Sequence, residues 1–459
     1  MLAAMPPSPS IRPPGAKPPL RDRGDACPGA LRLHSAADGH LARVRLPAGD
    51  LTARQATVLA DAADRLGDGH LSLTSRGNAE LRGLPEGCGA ELADLLRDAG
   101  LLPSARHERV RNILASPLAG LTANAPAQVR RWARELDGLL CASEPAAGLS
   151  GRFLFVLDDG RGELAGLGGD VSLVAEAARA GEPAGAAGTA LLRVGDDPAA
   201  LRIAGPDAPR AALAAAEAFL SAAAASGSGA WRVRELPDGQ RLTARDVAAR
   251  LHETGITATY PAQSPASAAP SSPRSATPGI VDGPDGTAAL CVLAPLGRLT
   301  SAQWRLLAAV AADDGCGALR LTPWRGLVLP GLPAGAAAAR LSALAAAGLI
   351  TDPDSPWHRL GACTGRPGCA KSLTDVRADA AAAVTAGARL PTGEAADDLP
   401  AHWSGCARRC GHPHGAWVDV LATEEGYRVS VVRPAAAPAP DDTPAPPPTP
   451  APPAPSRTP

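Results

Sequence analysis

The chain has 459 residues, is 45% hydrophobic and 20% charged, and carries a formal net charge of −1. Its length allows about three or four domains with buried cores. The balanced charge excludes a general nucleic-acid binder, which is basic, and the lack of any uncharged apolar run of roughly 18 residues excludes a membrane-spanning helix.

Taken in chain order, residues 1–25 open with MLAAMPPSPSIRPPG, which lacks the apolar core of a secretory leader. They are expected to be a disordered tail. A first unit follows over 26–105. In it Thr52-x-x-Gln55 reads as a capping box that opens a helix. LSLT (71–74) alternates as a strand, TSRGN places Arg76 and Asn78 at its end, and a second helix is expected over 88–99. The segment 106–261 reads as a long α/β domain. It contains RVRNILASPLAGL (109–121) with Arg111 and Asn112, LSGRFLF with Arg152, and an Ala-rich helical stretch at 209–225. The Pro/Ser-rich 262–280 reads as a linker.

Residues 281–354 repeat the first unit at a constant offset of 248. Leu51-Thr52 returns as Leu299-Thr300, Gln55 as Gln303, LSLT as LRLT, and Arg111 as Arg359. By local motif Arg325, in TPWRG, is matched with Arg76 at a shift of one residue. Each unit reads strand, helix, strand, strand, helix, the last expected over 335–347 in the second copy. Such repetition implies duplication and a pseudo-two-fold axis. A shorter α/β segment (355–433) completes the second half. The Pro/Ala-rich 434–459 reads as a disordered or polyproline tail.

The shorter segment holds the most specific signal. Cys363 and Cys369 lie in GACTGRPGC, and Cys406 and Cys410 in HWSGCARRCGHP. Four thiolates can complete an iron–sulfur cluster or a zinc site. The x5 and x3 spacings are not those of a common zinc knuckle, so a cluster is the preferred reading, with zinc and ordinary reduced thiols as alternatives. Cys27, Cys88, Cys141, Cys291 and Cys316 are scattered and read as plain thiols. Thiolate ligands fit a reducing cytoplasm.

ACTGRPGC with HWSGCARRCGHP resembles the cluster motif of the sirohaem sulfite/nitrite reductase superfamily. LTSRGNAELRGL (71–84) and RVRNILASPLAGL resemble two of its tetrapyrrole-site segments, and CPGALRLHSAADGHLARVRLPAG (27–49) resembles its precorrin-3B synthase branch. The resemblance implies an α+β fold: two ferredoxin-like half-domains and two α/β cluster/tetrapyrrole domains about the pseudo-dyad. It implies that Cys363, Cys369, Cys406 and Cys410 hold a [4Fe–4S] cluster. It further implies that Arg76, Asn78, Arg111, Asn112, Arg152, Arg325 and Arg359 bind a tetrapyrrole, with Arg76, Arg111 and Arg152 nearest the chemistry. Guanidinium stays charged and grips carboxylates bidentately, and one charged hydrogen bond contributes about 1.5–3 kcal/mol.

One departure bears on the reaction. Sulfite reductases carry two lysines in a Leu-Pro-x-Lys-Phe-Lys segment. The matching stretch here is Leu149–Leu154, with Arg152 and Leu154 in the lysine positions. Reducing a small anion needs several cationic proton donors around it, and Leu154 is none. The branch whose substrate is the tetrapyrrole fits better. The resemblance then implies an enzyme that uses precorrin-3A, O2, an electron-donating reductase or ferredoxin with NADH as ultimate reductant, and a mononuclear non-haem iron of unknown ligands. His402, His412 and His414 are the histidines near enough in sequence to be considered. Sirohaem belongs to the alternative reading, a sulfite or nitrite reductase. A non-catalytic tetrapyrrole-binding cluster protein is the third.

Overall fold

A computed structural model describes residues 25–122, 126–176, 188–261, 277–387, 399–413 and 415–433. Residues 1–24 of the expected N-terminal tail, the tail from 434 onward and residues 262–276 of the expected linker lie outside that set, as does His414, whereas Asp25 lies within it. No helix among the described residues is long and apolar enough to cross a membrane.

The first half-domain comprises β1 (His34–Ala36), β2 (Gly39–Val44), β3 (Asp50–Thr52), α1 (Ala53–Leu66), β4 (His70–Leu73), β5 (Ala79–Leu84) and α2 (Gly89–Asp98). The α/β domain after it comprises β6 (Ile113–Ala115), α3 (Gln128–Ala142), β7 (Phe155–Asp158), β8 (Val171–Ala175), β9 (Thr189–Val194), β10 (Leu201–Ala204), α4 (Ala208–Ser226), α5 (Ala244–Glu253) and β11 (Ala258–Thr259). The second half-domain comprises β12 (Gly279–Asp282), β13 (Thr287–Leu293), β14 (Arg298–Thr300), α6 (Ser301–Asp313), β15 (Ala318–Leu321), β16 (Gly326–Pro333) and α7 (Ala334–Ala346). The last domain comprises β17 (Leu360–Ala362), α8 (Val376–Thr385), β18 (Ala401–Ser404), β19 (Trp417–Thr423) and β20 (Gly426–Val432).

The duplication read from the sequence is physical. Thr52 caps α1 by accepting from the Gln55 N–H (3.1 Å), and Gln55 answers by accepting from the Thr52 N–H (2.9 Å). Thr300 and Gln303 repeat both bonds at 3.1 and 2.9 Å. Each glutamine also donates to the carbonyl that ends the second helix of its unit, Ala99 for Gln55 and Ala347 for Gln303. One side chain thus closes two orphan helix termini.

The halves also complete one another. The first sheet runs β1-β2-β5-β4-β14 and the second β12-β13-β16-β15-β3, so each borrows its last strand from the other half. The registers are repeat-related: Leu299 faces Leu71, and Leu51 faces Leu319. Helices α1 and α6 meet at the axis, where the Trp304 indole N–H donates to the carbonyl of its own repeat-mate Ala56 at 2.7 Å. A single apolar core spans both half-domains. A strand exchange that satisfies both sheet edges removes two hazards at once, which is why neither half reads as a separable unit.

The α/β domain has a six-stranded sheet, β11-β10-β9-β8-β7-β6, over its own core. It is fastened to the half-domains by Arg130, which donates to the Ala48 carbonyl and pairs with Asp50 on β3, and by Arg320, which donates to the Pro117 and Ala119 carbonyls. The last domain has four strands, β17-β18-β19-β20, with the first three parallel.

The loop after β7 carries a pH-dependent element. Asp158 accepts backbone N–H groups of Gly160, Gly162 and Leu164, and Arg161 pairs with Asp159. Burial pushes the Glu163 carboxyl up to about 7; Arg161 opposes the shift, and Asp159 and Asp158 add to it. A carboxyl raised above its unfolded value binds more protons in the folded state, so stability falls as pH rises from about 4.5 to 7. We expect a loss on the order of 3 kcal/mol across that window, absent in E163Q. Urea midpoints at pH 5 and pH 8 check this; parallel pH curves for the two proteins refute it.

Candidate metal centre and basic cleft

The two cysteine pairs converge because β17 and β18 are adjacent parallel strands, with Ala362 opposite Trp403. Cys363 directly follows β17, and Cys406 lies two residues after β18. Loops leaving the carboxyl ends of parallel strands share one crevice. The Cys363 N–H donates to the Trp403 carbonyl (2.9 Å), and the Gly405 N–H donates to the Cys363 sulfur (3.3 Å). Gly405 is forced by space: a Cβ there would lie 1.8 Å from the Ser372 hydroxyl. Cys369 is held by its N–H bond to the Gly365 carbonyl (2.8 Å). Burial raises the Cys410 thiol, and Cys363, Cys406 and Cys369 raise it further, as neighbouring thiolates do.

No three His, Cys, Asp or Glu side chains among the described residues group around one ion. A tetrahedral zinc needs all four sulfurs about 2.3 Å from a single point. A four-iron cube puts each thiolate on a separate iron. The donor set of four soft thiolates and an N–H aimed at a sulfur fit the cube. Neither His402 nor His412 belongs to a grouped ligand set among the described residues. His402 is fully buried, with Nε2 3.0 Å from the Cys410 carbonyl, and burial holds it down to about 3. His412 stacks on Trp417 with ring centroids 5.1 Å apart. Both shape the cysteine loop.

Beside this shelf lies the face of the first sheet that points away from α1 and α2. Ala42, Val44, Ala79 and Leu81 pack inward, so strand alternation turns Arg43, Glu80 and Arg82 to the other side, with Arg45 continuing that row. Arg45 is buried, and burial pushes it down to about 9, helped by Arg43. Its Nη1 and the Nε of Arg43 are buried with no partner. Arg76, in the β4–β5 turn, donates to the Gly151 carbonyl (3.2 Å); burial first and Arg232 second push it down to about 10. Arg152 lies over the Trp231 ring, 5.3 Å from its centroid. Cationic N–H groups left over in a half-buried face are the mark of an anionic ligand.

Arg325 donates to the Gly411 carbonyl (3.1 Å) beside Cys410. Its backbone is left-handed (φ 61°), and the residue 248 positions earlier is Gly77, also at φ 61°. The repeat-mate of Arg325 is therefore Gly77, and that of Arg76 is Trp324. This corrects the local-motif match. An arginine held where its counterpart is glycine implies a specific placement of that side chain.

Three of the expected site residues already have protein partners. Arg111 is buried and grips Asp137 with two bonds of 2.6 and 2.7 Å, and also donates to the Leu101 carbonyl. Asn78 accepts from the Leu46 N–H, and Asn112 donates to the Arg109 and Gly151 carbonyls. The two asparagines meet at 3.3 Å. All three hold the loops that present Arg45, Arg76 and Arg152. Arg359, the mate of Arg111, is exposed and left-handed (φ 66°). Arg43, Arg45 and Arg82 escaped the sequence reading. The signal was present: i, i+2 spacing in LARVRLPAG and AELRGL puts them on one strand face.

The N-terminal segment closes one wall. Asp25 accepts from the Ser150 hydroxyl (2.9 Å) and the Cys27 N–H, and Glu108 accepts from the Ala30 and Leu31 N–H groups.

The model of the nitrite/sulfite reductase ferredoxin-like half domain matches residues 34–99 and 281–347. A precorrin-3B synthase of Sinorhizobium sp. is 28% identical over 412 residues, covering 89% of this chain and 83% of that protein. A ferredoxin–nitrite reductase of Synechococcus elongatus is 29% identical, covering 84% and 76%. The Mycobacterium tuberculosis NirA structure superposes with a TM-score of 0.62 at 18% identity, over 85% of this chain and 74% of that one, and shows a shared fold.

Proposed function

We propose, for a chain that belongs to the nitrite/sulfite reductase superfamily, that it is a precorrin-3B synthase, an oxygen-dependent monooxygenase of cobalamin biosynthesis. In this reaction precorrin-3A gains a hydroxyl at C20 and an acetate arm closes a γ-lactone. One oxygen atom of O2 enters the product, and the other leaves as water with two electrons from NADH and two protons. The reducing equivalents reach the site through an electron-donating reductase or ferredoxin.

The observation that carries this reading is Leu154. Where a reductase would need a second cationic donor, Leu154 is buried against Leu114, Val156 and Leu164. Its backbone N–H is held by Asp170 at 2.9 Å. The side chains that share its cluster are all apolar.

In this reading Cys363, Cys369, Cys406 and Cys410 hold a [4Fe–4S] cluster, which supplies single electrons when bound. Arg43, Arg45 and Arg76 bind carboxylate arms of the macrocycle. Arg152 is kept in place by Trp231, and Arg325 ties the cleft to the Cys410 loop. Arg111, Asn78 and Asn112 keep these groups oriented, so little ordering remains when substrate arrives. The described residues offer no ligand set for a mononuclear iron, and no step is assigned to one.

Turnover tests the reading. Anaerobically purified protein, given precorrin-3A, NADH, a reductase and ¹⁸O2, should yield a product heavier by one labelled oxygen atom. A strong sirohaem Soret band together with nitrite or sulfite reduction would favour the reductase reading. An intact cluster with bound tetrapyrrole and no oxygen incorporation would favour a non-catalytic binder.

A further inference from the structure

The last sheet carries a polar floor beneath the cysteine turn. Ala401, Trp403, Val418 and Val420 pack into the core that this sheet shares with α8, so strand alternation turns His402, Ser404 and Asp419 to the opposite face. His402 and Asp419 are direct neighbours across the parallel pair β18–β19. All three side chains are buried, none more than 1% exposed.

The chain leaving β18 folds back over that face. His402 Nε2 lies 3.0 Å from the Cys410 carbonyl, and the His412 ring stacks on Trp417 of β19. One residue before Cys410, the Arg409 Nε donates to Asp419 Oδ2 at 2.6 Å. Arg409 is committed at every point. Its backbone is left-handed (φ 49°), a conformation that residues with a side chain disfavour. Its N–H donates to the Cys406 carbonyl (3.1 Å), and its carbonyl accepts from the His412 N–H (3.3 Å). Its Nη1 donates to the Ala407 carbonyl at 3.2 Å. The guanidinium therefore ties the middle of the Cys406–Cys410 turn to the sheet below it.

Two unfavourable features meet here. A buried carboxylate is costly and persists where it is paired. Asp419 Oδ1 has no hydrogen-bond partner, so the bond from Arg409 to Oδ2 carries the pairing. A left-handed arginine persists only where its surroundings over-determine it. Both features converge on the short loop that holds two of the four thiols. We propose that Asp419 is a positioning residue for the metal centre. Acting through Arg409, it holds the Cys406–Cys410 turn in the left-handed shape that presents both sulfurs to one cluster. This rests on the cluster reading and adds two residues to it. Losing a group that orients metal ligands from behind weakens metal retention by about 10- to 100-fold.

The test uses the full-length, cluster-loaded protein and follows the loss of visible absorbance to an iron chelator without oxygen. D419N and R409A are expected to release iron about tenfold faster than the wild type. R409G should release it more slowly than R409A, because glycine takes the left-handed backbone unaided. Adding D419N to R409G should change the rate little. D419N should also raise the reduction midpoint, since the unmatched guanidinium favours the more negative, reduced cluster; a role in packing alone leaves the midpoint in place. The Arg409 side chain is 31% exposed, so R409A and R409G carry the test if D419N does not fold. Equal acceleration by D419N in the wild type and in R409G would overturn the proposal, as would an unmoved midpoint. If the wild type holds iron and sulfide and the variants release them at its rate, the clasp falls and the cluster reading stands. If the wild type itself holds neither, both fall.

Discussion

Cys406→Ser is expected to abolish the iron–sulfur chromophore and turnover together. Iron and labile sulfide should fall to background, and the brown absorbance should vanish. Serine offers a hard, poorly ionised oxygen in place of a soft thiolate. Of the buried polar groups nearby, His402 Nε2 is bonded to the Cys410 carbonyl and Asp419 Oδ2 pairs with Arg409 at 2.6 Å. Cys406 also anchors the turn that carries Cys410, since its carbonyl accepts the Arg409 N–H at 3.1 Å. Metal and sulfide analysis of the anaerobically purified variant checks this. Retention of a full cluster and of turnover would remove Cys406 from the ligand set.

Asp170→Ala is expected to produce the largest loss of stability, about 3–5 kcal/mol. Asp170 is 1% exposed, and its carboxylate has three partners from two separate segments. It accepts from the Leu154 N–H (2.9 Å), the Val233 N–H (2.8 Å) and the Arg232 guanidinium. Removing it leaves a buried arginine without its counter-charge and two backbone donors unpaired. The effect reaches the cleft, because Leu154 and Arg232 flank the strand start and the loop that place Arg152 against Trp231. Weaker porphyrin binding should therefore accompany the fall in the urea midpoint. D170N, which keeps shape and one acceptor, should lose less. A stability change under about 1 kcal/mol for D170A would contradict the assignment.

The contrast between Arg111 and Asp170 marks where reading from the sequence stops. The RVRN motif draws attention to Arg111, but whether its fork meets a ligand or Asp137 depends on α3, which packs against it from 26 residues away. Asp170 carries no motif at all. Its weight comes from burial and from partners 16 and 62 residues distant in sequence.

What the chain by itself determined is local or repeated. The capping boxes at Thr52 and Thr300, the 248-residue offset, and the four cysteines in two short loops are written in spacing, because hydrogen bonds within a turn and the chemistry of thiolates need no distant partner. The tertiary structure decided everything that depends on distant neighbours. It exchanged β3 and β14 between the halves, brought the cysteine pairs together through the parallel β17–β18 edge, and turned Arg43, Arg45 and Arg82 to one face while committing Arg111 to a carboxylate. A side chain's charge is fixed by its type, but its solvation and its counter-ion are set only when the chain closes around it.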